Sequence, residues 1–187
     1  MEADKVLVRQ ILQGEAALFE SLINKYYLKV KAFIRKMGFS REDAEDMTQE
    51  VFLKVYNNLY RYDERWNFST WLFQIAVNTY RNHIKAKKYD RKKMESAVVY
   101  PVDISPEEHL LNTYQYEVVL KAIKSLDEKG KGMLILHYYN GFALKEIGRI
   151  YGISTAAVKM KLFRARTKLA GMCRSEDMGG VLNEVQL

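Results

Sequence analysis

Leu144-Lys145-Glu146-Ile147-Gly148-Arg149-Ile150-Tyr151-Gly152-Ile153-Ser154-Thr155-Ala156-Ala157-Val158 decides how this chain is read. Two short helical segments meet across a turn. A helix-turn-helix needs a small residue where its helices cross, and Gly148 supplies one. It also needs a turn residue that tolerates positive φ, and Gly152 does so. Ile147, Ile150, Ile153, Val158 and Leu162 then share one core, and the second helix is left to enter a major groove. Ser154 is the expected N-cap of that helix, which should run from about Thr155 to Met172. Thr155 to Ser175 contains no acid, while Lys159, Lys161, Arg164, Arg166, Lys168 and Arg174 are basic. A plain helical hairpin with a solvated basic face is the alternative, but such a helix has no need of so one-sided a charge. Lys159, Met160, Lys161 and Phe163 lie in the first two turns and are the candidates for base edges. Arg164, Arg166 and Lys168 suit phosphates, which position a protein without specifying sequence. The helix start, Ser154 and Thr155, offers amides to another phosphate.

Upstream, a helix is expected near Asp127–Tyr139, stopped by Asn140-Gly141, and a short one over about Leu144–Tyr151. Ser105-Pro106-Glu107-Glu108 reads as a further helix start, with a capping Ser, an early Pro and acids at the positive end of the dipole. Met94 to Ile104 reads as linker.

The first half is also helical. Val6, Leu7, Ile11 and Leu12 have helical spacing, ended by Gly14. A long helix should follow from about Ala16 to Met37, with Gly38 as its C-cap. Ser40-Arg41-Glu42-Asp43 resembles a capping box for a third helix, to about Leu59. Leu59 to Asn67 lacks a period and is expected to be a loop. A fourth helix should start at Asn67 or Ser69 and run through Trp71, Leu72, Ile75 and Ala76 into a basic tail. Tyr60, Tyr62, Trp66, Phe68, Trp71 and Phe73 crowd the region before and inside it. Tyr80 to Lys93 then carries seven cations and one acid. Aromatics beside a basic track suit a single nucleic-acid strand; a core cluster followed by a solvated helix end is the alternative.

The third helix gathers Asp43, Asp46, Gln49, Glu50 and Leu53 near one face. A metal, a solvated face and a dock for a basic partner helix are the three readings. No His or Cys is nearby in sequence and no second acidic cluster stands at ligand spacing.

Charge supports two blocks. The chain has 187 residues and a net charge of +7. Residues 1–94 carry 18 basic and 12 acidic side chains, 95–117 carry five acids and no base, and 118–187 carry 12 basic and six acidic. Both prolines, Pro101 and Pro106, lie in the acidic stretch. Such segregation favours a polyanionic partner. One cysteine, Cys173, excludes an internal disulfide. No apolar run approaches the roughly 18–20 residues of a membrane span, and no signal-type segment opens the chain. A cytoplasmic protein is expected. The fold class is therefore all-α: two small helical domains joined by a flexible acidic linker. Residues 1–93 form a four-helix domain, 94–110 the linker, 111–174 the helix-turn-helix domain and 175–187 a tail.

Taken in order, these parts resemble a bacterial sigma factor of the sigma-70 family, in its extracytoplasmic-function (ECF) group. Ala44-Glu45-Asp46-Met47-Thr48-Gln49-Glu50-Val51-Phe52 resembles the core-polymerase-binding helix. Phe68-Ser69-Thr70-Trp71-Leu72-Phe73-Gln74-Ile75-Ala76-Val77-Asn78 resembles the promoter-melting segment. Leu144 through Leu169 is similar to the helix-turn-helix that reads the minus-35 element. Ser154–Ala157 and Met160 depart from the family's usual residues, and the tail beyond Met172 has no counterpart.

The resemblance implies an initiation factor with no catalytic residue, cofactor or metal of its own. Its partners would be the beta and beta-prime subunits of core RNA polymerase, promoter DNA and an anti-sigma factor, often one held at the membrane. Asp46, Gln49, Glu50 and Leu53 would dock on the polymerase. Tyr62, Trp66, Asn67, Phe68, Trp71, Asn78, Arg81 and Lys85 would meet the minus-10 strand, with Asn78 and Tyr62 near a pocket for a flipped base. The acidic linker would follow the RNA exit path. The regulon would be of a stress or envelope type. The chain is too short for the added domains of housekeeping sigma factors, so it is expected to lack their self-inhibition. A stand-alone helix-turn-helix regulator with a sensing or dimerising first half is one rival, and a nucleic-acid enzyme using Asp43, Asp46 and Glu50 with a divalent metal is the other.

Overall fold

The structure, a computed structural model, describes residues 2–91 and 126–175. The acidic linker, the helix start at Ser105 and the tail after Ser175 lie outside the described residues. Every regular element among the described residues is helical, which agrees with the all-α expectation.

Helix α1 spans Glu2–Leu12, with Glu2 and Asp4 in its first turn and Arg9 in its last, as the helix dipole favours. Gly14 turns the chain at φ +113°. The long second helix begins as a 3-10 turn, Ala16–Leu18, and becomes α2 over Phe19–Lys36. Leu22, Val30, Phe33 and Ile34 on α2 are fully buried at helical spacing. Gly38, at φ +106°, ends it. Helix α3 is Arg41–Asn57, and the Ser40 hydroxyl caps it by accepting from the Asp43 N–H at 3.0 Å. A 3-10 turn over Leu59–Arg61 interrupts the expected loop. Helix α4 runs over Phe68–Arg91. The Asn67 carbonyl accepts from the N–H groups of Thr70 and Trp71, so Asn67 stands immediately before the helix and receives its first hydrogen bonds.

In the second domain α5 spans Glu128–Leu134, and the Asp127 carboxylate accepts from the Gly130 N–H at 3.2 Å. The α-helix expected to reach Tyr139 instead widens into a π-turn over Ile135–Tyr139. The reason lies just beyond it: the Phe142 N–H folds back to donate to the Leu136 carbonyl, and Gly141 allows this at φ +73°. Helix α6 is Leu144–Tyr151 and α7 is Thr155–Ser175. Gly152 joins them at φ +66°, and the Ser154 hydroxyl accepts from the Ala157 N–H at 3.2 Å. A Cβ at Gly148 would stand 2.8 Å from the Ile153 carbonyl oxygen, so the crossing requires glycine. Ile147, Ile150, Val158 and Leu162 are buried there, with Ile153 partly buried beside them.

The two domains share one hydrophobic core. Helix α4 packs on α6, and α2 touches the π-turn. No helix among the described residues is long and apolar enough to cross a membrane.

Candidate nucleic-acid and polymerase interfaces

The third helix sorts its acids by burial. Asp46 and Gln49 are exposed and Leu53 is 65% exposed, an unusual place for a leucine on a packed helix. Together they form a mixed acidic and apolar stripe. Glu50 sits behind it, half-buried, held by Lys54 at 2.5 Å and by His83 of α4 at 2.5 Å. Burial raises the Glu50 carboxyl's pKa, but hydrogen bonds from Lys54 and His83 outweigh it and leave the group below the usual carboxylate range. Glu50 thus ties α3 to α4 from behind the stripe. Among the described residues no cluster of His, Cys, Asp and Glu could hold a metal ion.

The aromatic segment divides into core and surface. Phe68 is 1% exposed, and its ring lies against Tyr26, Tyr62 and Trp71. Phe68, expected to meet the minus-10 strand, is instead a core residue that packs beneath Tyr62 and Trp71. Tyr62 and Trp71 are half-buried and meet at a tilt of 52° with centroids 5.6 Å apart. The Tyr62 hydroxyl donates to the Trp66 carbonyl at 2.7 Å, and burial pushes its pKa up to about 12. Asp63 bridges to Arg65, whose hydrogen bonds hold its carboxyl down at about 2. Arg9 of α1 forks onto Glu64. The loop before α4 is thus tied to α1 through Glu64 and closed on itself by Tyr62 and Asp63.

Asn78 is exposed two turns along α4 from Trp71, on the same side of the helix, at the mouth of a cavity of about 380 Å³. Trp71 lines it, and Lys54, Asn58, Arg61 and Asn82 add a polar and cationic rim. Lys54, Asn58, Arg61 and Asn82 were not among the sequence candidates. Asn82 stands four residues after Asn78 on α4, a spacing that could have found it; Lys54, Asn58 and Arg61 come from the end of α3 and the turn after it, which no spacing along α4 reveals. Tyr62 does not line this cavity. Lys85 is exposed further along α4.

Three minus-10 candidates face the second domain instead. The Asn67 amide donates to Glu146 at 2.9 Å. Trp66 is half-buried, with the Lys145 ammonium 5.8 Å and the Arg149 guanidinium 5.3 Å from its ring. Arg81 lies 4.8 Å from the Tyr151 ring.

On α7, Ser154, Thr155, Lys159, Met160, Phe163, Arg164, Arg166 and Lys168 are exposed, while Lys161 is half-buried. Met160 and Phe163 are 50% and 62% exposed, although Val158, Leu162 and Ala165 on the opposite face are buried. The outward face is thus apolar near its start and cationic throughout. Such a surface suits thymine methyls, base edges and phosphates.

Comparison with known proteins identifies the family. Residues 22–89 match the family description Sigma-70 region 2, and residues 116–169 match Sigma-70, region 4. The ECF RNA polymerase sigma-E factor of Haemophilus influenzae is 30% identical over 173 residues, covering 87% of this chain and 91% of that protein. The ECF RNA polymerase sigma factor SigW of Bacillus subtilis is 27% identical over 180 residues, covering 91% and 96%. The sigma factor RpoE of Bartonella quintana, solved with the anti-sigma factor NepR, shares the fold. Its TM-score is 0.73 at 20% identity, over 83% of this chain and 96% of that one. With both family regions present in order, and a relative of such identity matched over nearly its whole length, the chain belongs to the sigma-70 family of RNA polymerase sigma factors, in the ECF group.

Proposed function

We propose that this sigma factor recruits core RNA polymerase through the Asp46–Gln49–Leu53 stripe, with Glu50 as its buttress. It reads the minus-10 strand on α4 and the minus-35 duplex on α7. The observation that carries the reading is the pairing of two surfaces on one chain. The Asn78 cavity, rimmed by amides and cations, suits one unpaired base. The acid-free outward face of α7 suits a major groove. Extruding a base costs a few kcal/mol of unstacking, which the cavity contacts offset. Lys159, Met160 and Phe163 read base edges; Arg164, Arg166 and Lys168 grip phosphates. The chemistry of initiation belongs to the polymerase, and this chain needs no cofactor.

One solved structural neighbour, a CnrH, is bound to the cytosolic domain of CnrY, and another, a RpoE, to the anti-sigma factor NepR. A protein of that kind is the inhibitor proposed here, acting in the cytoplasm on a stress or envelope regulon. Run-off transcription with bacterial core polymerase on a pool of genomic fragments tests the whole reading. Core-dependent transcripts from a few defined start sites are expected, and their alignment yields the promoter. Failure to bind core, together with tight duplex binding by the protein alone, would replace it with a stand-alone regulator.

A further inference from the structure

The Asn67 side-chain amide and the Thr70 hydroxyl converge on one oxygen, Oε1 of Glu146, each at 2.9 Å. Both donors stand at the first turn of α4, where the helix dipole also favours an anion. Thr70 is 1% exposed in the closed protein. A carboxylate oxygen there has the same acceptor chemistry as a phosphate oxygen or a base carbonyl.

Helix capping accounts for only half of what Glu146 does. Its Oε2 accepts from the Ala143 N–H at 3.0 Å, which closes the start of α6. That bond leaves Oε1 with no capping task, and Oε1 is the atom that reaches across to the other domain. The neighbours repeat the pattern. Lys145 and Arg149, one residue before and three after Glu146, lie by the Trp66 ring. Tyr151 covers Arg81. One side of α6 and its C-terminal residue therefore engage Trp66, Asn67, Thr70 and Arg81 together. The Asn78 cavity shares no lining residue with α6 and stays open.

We infer that Glu146 holds the Asn67 and Thr70 donors as a stand-in for an acceptor oxygen of the promoter strand, so that closure of the two domains and strand binding exclude one another. The inference rests on the proposed minus-10 role of α4. It adds Thr70 to the strand-binding residues. It also gives this short chain a restraint of its own, where the resemblance led to the expectation of none.

The test uses the full chain and a random-sequence single DNA strand of about 15 nucleotides, followed by fluorescence anisotropy. Glu146→Gln keeps an oxygen for the Ala143 N–H and turns an amide toward the two donors. Glu15→Gln, on the exposed surface, makes the same change in net charge and controls for it. Charge-assisted hydrogen bonds are the strong ones, so Glu146→Gln should bind the strand about tenfold more tightly than the wild type, and Glu15→Gln within about twofold of it. Adding Thr70→Val to Glu146→Gln should erase the gain. Circular dichroism of each variant checks that the helices persist. No gain in Glu146→Gln, a gain matched by Glu15→Gln, or a gain that survives Thr70→Val overturns the inference. Run-off transcription by the wild type separates the two claims. Core-dependent transcripts with no Glu146 effect remove the restraint and leave the sigma function; absence of core binding removes the function itself.

Discussion

Phe73 of the first domain and Phe142 of the second meet edge to face with centroids 5.0 Å apart. Phe33 meets Phe73 in the same way at 5.7 Å. The three rings run as one rod from the middle of the first domain into the second, and both ends are buried. Phe142→Ala should cost about 3–5 kcal/mol at this junction, the usual range for a buried phenylalanine. Calorimetry should then resolve two unfolding transitions where the wild type gives one. A single transition in the variant would mean that the rings do not couple the domains.

Gly148→Ala forces a Cβ to within 2.8 Å of a backbone oxygen, which no side-chain rotation can relieve. The helix crossing must open, at a cost of about 1–3 kcal/mol. Duplex binding by α7 should weaken with it, while the Asn78 face of α4 keeps its shape. Equal duplex affinity for variant and wild type would show that the crossing angle is not critical.

Acid should loosen the join between α3 and α4. The Glu50 carboxyl lies below its unfolded value, so its contribution is fully present above about pH 4.5. It is lost as the pH falls through the lowered folded-state value. The side chain is 37% exposed, so solvent screening holds the effect under about 1 kcal/mol. Urea midpoints of Glu50→Gln should therefore fall less steeply than those of the wild type below that pH. Parallel curves would remove Glu50 from the account of acid sensitivity.

Asn78→Ala and Asn82→Ala should change which base is preferred in the minus-10 strand, because both amides border the cavity. Selection from a randomised minus-10 library, transcribed with core polymerase, reads this directly. An unchanged selection would place base reading elsewhere on α4.

The outward face of α7 should separate into two behaviours. Lys159→Ala and Met160→Ala should shift the preferred minus-35 sequence. Arg166→Ala should weaken all duplexes alike and lower the salt slope by about one. Uniform losses for all three variants would cancel the assignment of base-reading roles.

Local chemistry carried much of this structure into view before the coordinates did. Ser40 and Ser154 cap their helices because a side-chain oxygen reaches an N–H three residues on, and that spacing is visible in a string of letters. Gly14, Gly38 and Gly152 adopt positive φ where helical patterns stop. What stayed hidden depends on partners distant in sequence. Helical period marks Phe68 as one of several rings but cannot say which ring faces inward. Tyr26, from another helix, helps to settle it. Period also cannot tell an α-turn from the π-turn at Ile135–Tyr139, because the cause is the return of Phe142 to Leu136. The Lys54 and Asn58 side of the cavity exists only once α3 and α4 are packed. The Glu146 contact needs a whole domain to be placed.

Synthesis gives the shared core a direction in time. A ribosome releases α1 through α4 before α6 exists, and domains generally fold as they emerge. Until Phe142 follows, Phe73 has one of its two aromatic neighbours, and Asn67 and Thr70 have no carboxylate from α6. The nascent chain therefore shows the proposed strand-reading edge to the cell before it can cover it.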